Sequence, residues 1–257
     1  KKPADGKIPS GEKTPADSKE KSREQMDEKQ KGDKISTTLD YGIQKDRKIA
    51  IGMITEIKDE QIKRDLLRKI AEMANTDADM EIRKTAVTAL GDHKSAENSQ
   101  AVIRALDDEI DDVKIAACYA VGKMKLSEAK PKLIELLKKQ DLAASSTLTD
   151  AVVIALGDLN APEVVDYAVE GIKNIKNSKM ARERLILFIG RSGSAAQKDF
   201  LLGLYRDEEE EMVIRSYAVK SIARLKIREA APAIKEVIKD IDSYSFNKKK
   251  RYYDLYM

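Results

Sequence analysis

Apolar and polar positions follow a helical period along most of this chain. In Glu81-Ile82-Arg83-Lys84-Thr85-Ala86-Val87-Thr88-Ala89-Leu90-Gly91, the residues Ile82, Ala86, Ala89 and Leu90 fall at i, i+4, i+7 and i+8, one face of an α-helix. Gly91 follows as a residue able to take positive φ and end the helix. The same register recurs. Its terminal position reads Thr55, Gly91, Gly122, Gly157, Gly190 and Ala223, at intervals of about 31 to 36 residues. Eight residues before it stand Arg47, Arg83, Lys114, Thr149, Arg182 and Arg215, and five before it Ala50, Ala86, Ala117, Val152, Leu185 and Ala218.

A second helix keeps step with the first. Eleven residues past the terminal position come Leu66, Val102, Leu133, Ala168, Leu201 and Ile234, and fifteen past it Ile70, Leu106, Leu137, Ile172, Tyr205 and Ile238. Pro131, Pro162 and Pro232 stand near the starts of three of these helices, where the missing N–H costs least. One such helix pair cannot bury both apolar faces, so neighbouring pairs must stack and share a core. The pattern predicts an all-α protein, a right-handed α-solenoid of about six helix pairs. The expected repeats are residues 36–76, 77–109, 110–141, 142–176, 177–208 and 209–241. Ser36, Thr37 and Thr38 offer hydroxyls to cap the first helix. Residues 141–146 form a longer connection, and the acidic run 207–211 suits the positive end of the following helix.

The motif Asp79-x-x-Ile82-Arg83-x-x-Ala86-x-x-Ala89-Leu90-Gly91, with close echoes from Val113 to Gly122 and from Ile214 to Ala218, is similar to the short HEAT-like repeat of the bacterial lyase-type class. The resemblance covers roughly residues 36–241. It implies that the second helices line a concave surface that binds another protein. The matching positions are packing and capping positions, so it speaks to fold more than to function. Relatives that attach phycobilins give the class its name, yet the lone Cys118 lies in a core helix and lends no support to pigment chemistry.

Outside the repeats the composition changes. Residues 1–35 are charged and low in complexity, with Pro-Ala-Asp occurring twice and Ile8 and Met26 almost alone as apolar residues. This predicts a disordered linker. Glu/Lys pairs give residues 18–31 some transient helical tendency. Residues 242–257 form an aromatic and basic extension that includes Lys248, Lys249, Lys250, Arg251, Tyr252 and Tyr253. The cations and rings there suit a cap on the last repeat, a protein-docking segment, or contact with a polyanion. Charged residues make up 36% of the chain but the formal net charge is only +3, so no whole-molecule field draws in nucleic acid. No apolar run is long enough to span a bilayer.

The chemistry-bearing residue types are sparse. His93 is the only histidine and lies in a turn, so an ordinary zinc site is not expected. Without a His-Glu pair the chain cannot supply the iron site of the helical-repeat deoxyhypusine hydroxylases. The absence of Trp argues against a helical-repeat DNA glycosylase. Gly190-Arg191-Ser192-Gly193-Ser194 lacks the Gly-Lys-Ser/Thr of a phosphate loop and follows no strand, so it reads as a repeat turn. The expectation is a non-enzymatic scaffold or adaptor with no cofactor, metal or small-molecule substrate, whose partner is another protein. Lys132, Glu135, Asp166 and Lys235 are the candidate contact residues on the second helices. The alternative is a nucleic-acid- or anionic-surface-binding module that uses the basic tail and groove lysines. The start at Lys1 and the hydrophilic segment behind it suggest an exported protein, with a cytoplasmic one as the alternative.

Overall fold

The computed structural model describes residues 15–239. The aromatic and basic extension, with Lys248, Lys249, Lys250, Arg251, Tyr252 and Tyr253, lies outside the described residues, as do residues 1–14. Among the described residues the chain consists of helices and short 3-10 turns, with no strand. It divides into two compact units, Lys1–Ile70 and Ala71–Met257, with the boundary inside one helix.

The first unit holds α1 (Pro15–Tyr41), α2 (Gln44–Met53) and most of α3 (Glu60–Thr76). Where the composition predicts a disordered linker through residue 35, the structure has helix from Pro15 onward. Ile35 and Leu39 explain its C-terminal half, since both are almost wholly buried. Glu28 anchors the helix further back. Its Oε2 accepts hydrogen bonds from the Lys58 N–H at 2.7 Å and the Asp59 N–H at 3.4 Å, just ahead of α3. Asp59 in turn accepts from the Gln61 and Ile62 N–H groups and caps α3. The expected capping role of Ser36, Thr37 and Thr38 is corrected: all three lie inside α1. The Thr37 and Thr38 hydroxyls donate back to the carbonyls of Asp33 and Lys34.

The second unit begins with the end of α3 and continues with five helix pairs. The first helices are α4 (Met80–Asp92), α6 (Asp111–Met124), α8 (Thr147–Asp158), α10 (Lys179–Ser192) and α12 (Met212–Arg224). The second helices are α5 (Ser99–Arg104), α7 (Lys130–Lys138), α9 (Val165–Lys173), α11 (Lys198–Arg206) and α13 (Ala231–Ile238). Each first helix packs on the next, and α7, α9 and α11 also pack against the first helix that follows them. This is an α-solenoid, and its core is the shared layer between successive pairs. Ile82, Val113, Val152, Ile186 and Ile214 are buried from the first helices, and Leu133, Ala168 and Leu201 from the second.

The repeated glycine works differently from the sequence expectation. Gly91, Gly122, Gly157 and Gly190 lie inside their helices and do not end them. The left-handed turn comes three residues later, at Lys94, Lys125, Asn160 and Lys226 in four of the repeats. There the N–H groups of Ser95, Leu126 and Ile227 reach back to Leu90, Val121 and Ile222, the hydrogen-bonding pattern of a helix ended by a left-handed residue. Two of them, Gly91 and Gly190, serve close approach of helix backbones, while Gly122 and Gly157 face the side chains of Asp158 and Arg191. A Cβ on Gly91 would stand 2.9 Å from the Ala120 Cα, and one on Gly190 3.0 Å from the Ser221 Cα.

Candidate protein-binding surface

Three arginines of the basic column eight before the terminal position, Arg83, Arg182 and Arg215, are built into the repeat junctions, whereas Lys114 pairs with Asp111 of its own helix. Arg182 Nε donates to the Ile172 carbonyl at 2.9 Å, and Arg215 Nε to the Tyr205 carbonyl at 2.8 Å. Each arginine thereby satisfies a carbonyl that the preceding second helix leaves open at its end. The fork then reaches a carboxylate in the next turn. Arg182 Nη1 and Nη2 bind Glu210 at 3.2 and 2.5 Å, and Arg83 Nε and Nη2 bind Asp108 at 2.7 and 2.9 Å. Both pairs are about nine-tenths buried. Burial alone would raise the Asp108 carboxyl, but hydrogen bonds from Arg83 and the Ile110 N–H outweigh it and hold the carboxyl below its usual value. The same pairing raises the Arg83 guanidinium.

Many of the remaining charges also join neighbouring repeats. Lys84 pairs with Asp112 at 2.8 Å, Lys123 with Asp92 at 2.5 Å, Arg191 with Asp158 at 2.6 Å and Lys179 with Glu211 at 2.6 Å. The acidic run 207–211 is therefore largely structural. Glu210 and Glu211 hold α10, and Asp207 caps its own turn by accepting from the Glu209 N–H.

The candidate contact residues on the second helices divide in two. Lys132 is half-buried and pairs with Asp107 of the preceding repeat, and Glu135 pairs with Lys139 one turn along its own helix at 2.6 Å. Asp166 on α9 and Lys235 on α13 are exposed, and neither forms an ion pair among the described residues. Lys132 and Glu135 share α7, while Asp166 stands on α9 and Lys235 on α13.

Sequence reasoning missed Ile175, which is 81% exposed in the turn between α9 and α10. The signal was available: an isoleucine between Lys173 and Lys176, outside both apolar columns. Tyr41 and Ile43 are similarly exposed where α1 gives way to α2.

Cys118 is buried, and desolvation pushes its thiol up to about 12. His93 closes α4, its N–H bonded to the Ala89 carbonyl. The stretch from Gly190 to Ser194 forms a repeat turn: Ser194 and Gln197 make a reciprocal capping box, and Ser192 Oγ accepts from the Ala161 N–H. Among the described residues no group of His, Cys, Asp or Glu is placed to hold a metal ion. No described helix is long and apolar enough to cross a membrane.

Residues 67–149 match the family of HEAT repeats. No curated protein matches the sequence. A solved structure of similar fold is the complex of CpcE and CpcF of phycocyanin lyase from Nostoc sp. PCC7120. The chain aligned there is 16% identical with a TM-score of 0.53, and the match covers 98% of each chain. Stacked helix pairs with buried arginine forks thus make a helical-repeat fold, and its residues 67–149 match HEAT repeats.

Proposed function

We propose that this chain is a non-enzymatic scaffold that binds another protein along the exposed faces of its second helices. The observation that supports it is how the charges are distributed. The arginine forks and most first-helix ion pairs are spent on joining repeats, whereas Asp166 and Lys235 face solvent on α9 and α13. A helical-repeat surface of this kind offers a long contact area without convergent chemistry. That the similar solved structure is a complex of two proteins accords with a protein partner. The buried, protonated Cys118 and the turn position of His93 support the non-enzymatic part of the reading.

The test is capture from native lysate with the full chain as bait, at low and high salt. A variant carrying Glu135→Lys, Asp166→Lys and Lys235→Glu runs beside it. The expected outcome is a protein retained at both salts by the natural chain and lost by the variant. Retention by the variant would place the contact elsewhere. Nucleic acid alone, released by salt, would replace this reading with polyanion binding. A chromophore or metal copurifying in stoichiometric amount would overturn the non-enzymatic reading.

A further inference from the structure

The glycine column defines how one first helix receives the next. A Cβ on Gly91, Gly122, Gly157 or Gly190 would lie 2.7 Å from the Ala120 Cβ, 3.7 Å from the Ala155 Cα, 3.7 Å from the Phe188 Cδ2 or 2.7 Å from the Ser221 Oγ, in that order. Each of these partners stands two residues before the terminal position of its own helix. Six before that position in α10 stands Arg184, which reaches back to Asp150 of α8 at 3.3 Å. Positions two and six before the terminal residue therefore face the preceding first helix.

In α2 those two positions are Met53 and Ile49, and no first helix precedes α2 among the described residues. The helix α1 leads into α2 through a short turn and packs on it, as α9 and α11 pack on α10 and α12, so it takes the place of a second helix. Where the missing first helix would lie, there is a groove of about 120 Å³. It is lined by Ile35 of α1 and by Ile49, Ala50 and Met53 of α2, with Lys34 and Asp46 adding one charge of each sign. Ile49 is 53% exposed there, and Tyr41 and Ile43 are exposed at the turn between the two helices.

The last described first helix, α12, offers the complementary edge. Ala223 stands in the glycine column and is exposed, as are Lys220 and Arg224 on the same helix. The residue just after the terminal position carries a charge that joins repeats at two junctions, where Asp92 pairs with Lys123 and Asp158 with Arg191. In α12 that position holds Arg224, and after α2 it holds Glu56. Both are exposed, they are opposite in sign, and neither forms an ion pair among the described residues.

We propose that α12 of one copy packs into the α1–α2 groove of a second copy, with Ala223 against Met53 and Arg224 beside Glu56, so that the chain associates with itself head to tail. The contact repeats the junction that the fold already makes between its own first helices. Its two surfaces differ, so it is heterologous, and each copy has both a giving and a receiving site. It uses first helices where the scaffold reading uses the faces of the second helices, so either stands without the other.

The experiment is sedimentation velocity of the full chain from micromolar to submillimolar concentration. The weight-average sedimentation coefficient is expected to rise with concentration. Ile49→Asp is expected to weaken the association about tenfold, and Ala223→Gln severalfold, with unchanged thermal midpoints because both side chains are exposed. Glu56→Arg and Arg224→Glu are each expected to weaken it severalfold by setting like charges together. Mixing the Glu56→Arg protein with the Arg224→Glu protein should restore it, since every contact between the two variants joins opposite charges. A chain that stays monomeric throughout would overturn the proposal and leave the groove to another segment or an unrelated partner. Association that Ile49→Asp and Ala223→Gln leave unchanged would also overturn it, as would a mixture no stronger than either charge variant alone.

Discussion

At the scale of single residues, the glycines show how one residue type answers to different demands. Gly91 is pressed against Ala120, so Gly91→Ala forces two helices apart at a place where backbone, not a flexible side chain, is in the way. Overpacking of this kind costs about 1–3 kcal/mol, more than the roughly 1 kcal/mol that alanine returns in helix propensity. Gly203 lies in the middle of α11, exposed, and a Cβ there would meet nothing within 4 Å. Gly203→Ala is expected to stabilise by about 0.5–1 kcal/mol. Urea unfolding of the two variants should therefore shift in opposite directions. A residue test of another kind concerns Cys118. With its thiol pushed up to about 12 and its side chain buried, it should resist a thiol reagent at mildly alkaline pH and react promptly once the chain is unfolded. The sequence showed that Gly91 and Cys118 stand on or near packing positions. It could not show which glycine meets a neighbour, because that depends on how near the next helix comes.

At the scale of elements, Arg182 on α10 joins the end of α9 to the turn between α11 and α12. Arg182→Ala would strand the buried Glu210 carboxylate and the Ile172 carbonyl together, at a cost of about 3 kcal/mol. Arg182→Lys should recover only part of that, since an ammonium cannot make the two-pronged contact. Acid acts on the same devices through Asp108. Its folded value lies below its unfolded value of about 3.9, so its contribution is complete above that pH and is lost as pH falls through the folded value. Denaturation measured from neutral pH down to about pH 3 should show the natural chain losing stability more steeply at the acid end than Asp108→Asn, which starts out less stable. The helix α1 belongs to this scale as well. Its charged sequence pointed to a linker because too few apolar residues were present to bury. Ile35 and Leu39 are nonetheless buried, and Glu28 accepts from the Lys58 N–H just ahead of α3. Ile35→Asp is expected to speed hydrogen exchange in α1 while the amides of α8 and α10 keep their protection.

For the molecule in its entirety, the helix pairs were legible in advance because a solenoid repeats the same local demand. Each pair must present apolar residues at fixed offsets, and a column that returns through the chain is visible without coordinates. Stability in such an array is carried by contacts between neighbours, so each fork and each close approach acts locally. The surface was less legible. Lys132 reads as an available lysine in the sequence, yet in the folded chain it is engaged by Asp107 of the preceding repeat. Ile175 reads as one more apolar residue, yet it is left outside.

Spacing along the chain was enough to define the helical class, the pairing of helices and the residues that fill the shared layer, because each of these depends on one chain segment at a time. Three features had to wait for the packed chain: Gly91 and Gly190 are for close approach, Arg83 and Arg182 are junction forks, and only certain charges and apolar side chains remain on the surface. Each of those outcomes depends on residues some 25 to 35 positions apart in sequence, as in Arg83 with Asp108 or Gly190 with Ser221. Their meeting is set by the distance and angle between stacked helices, which no single helix's pattern contains.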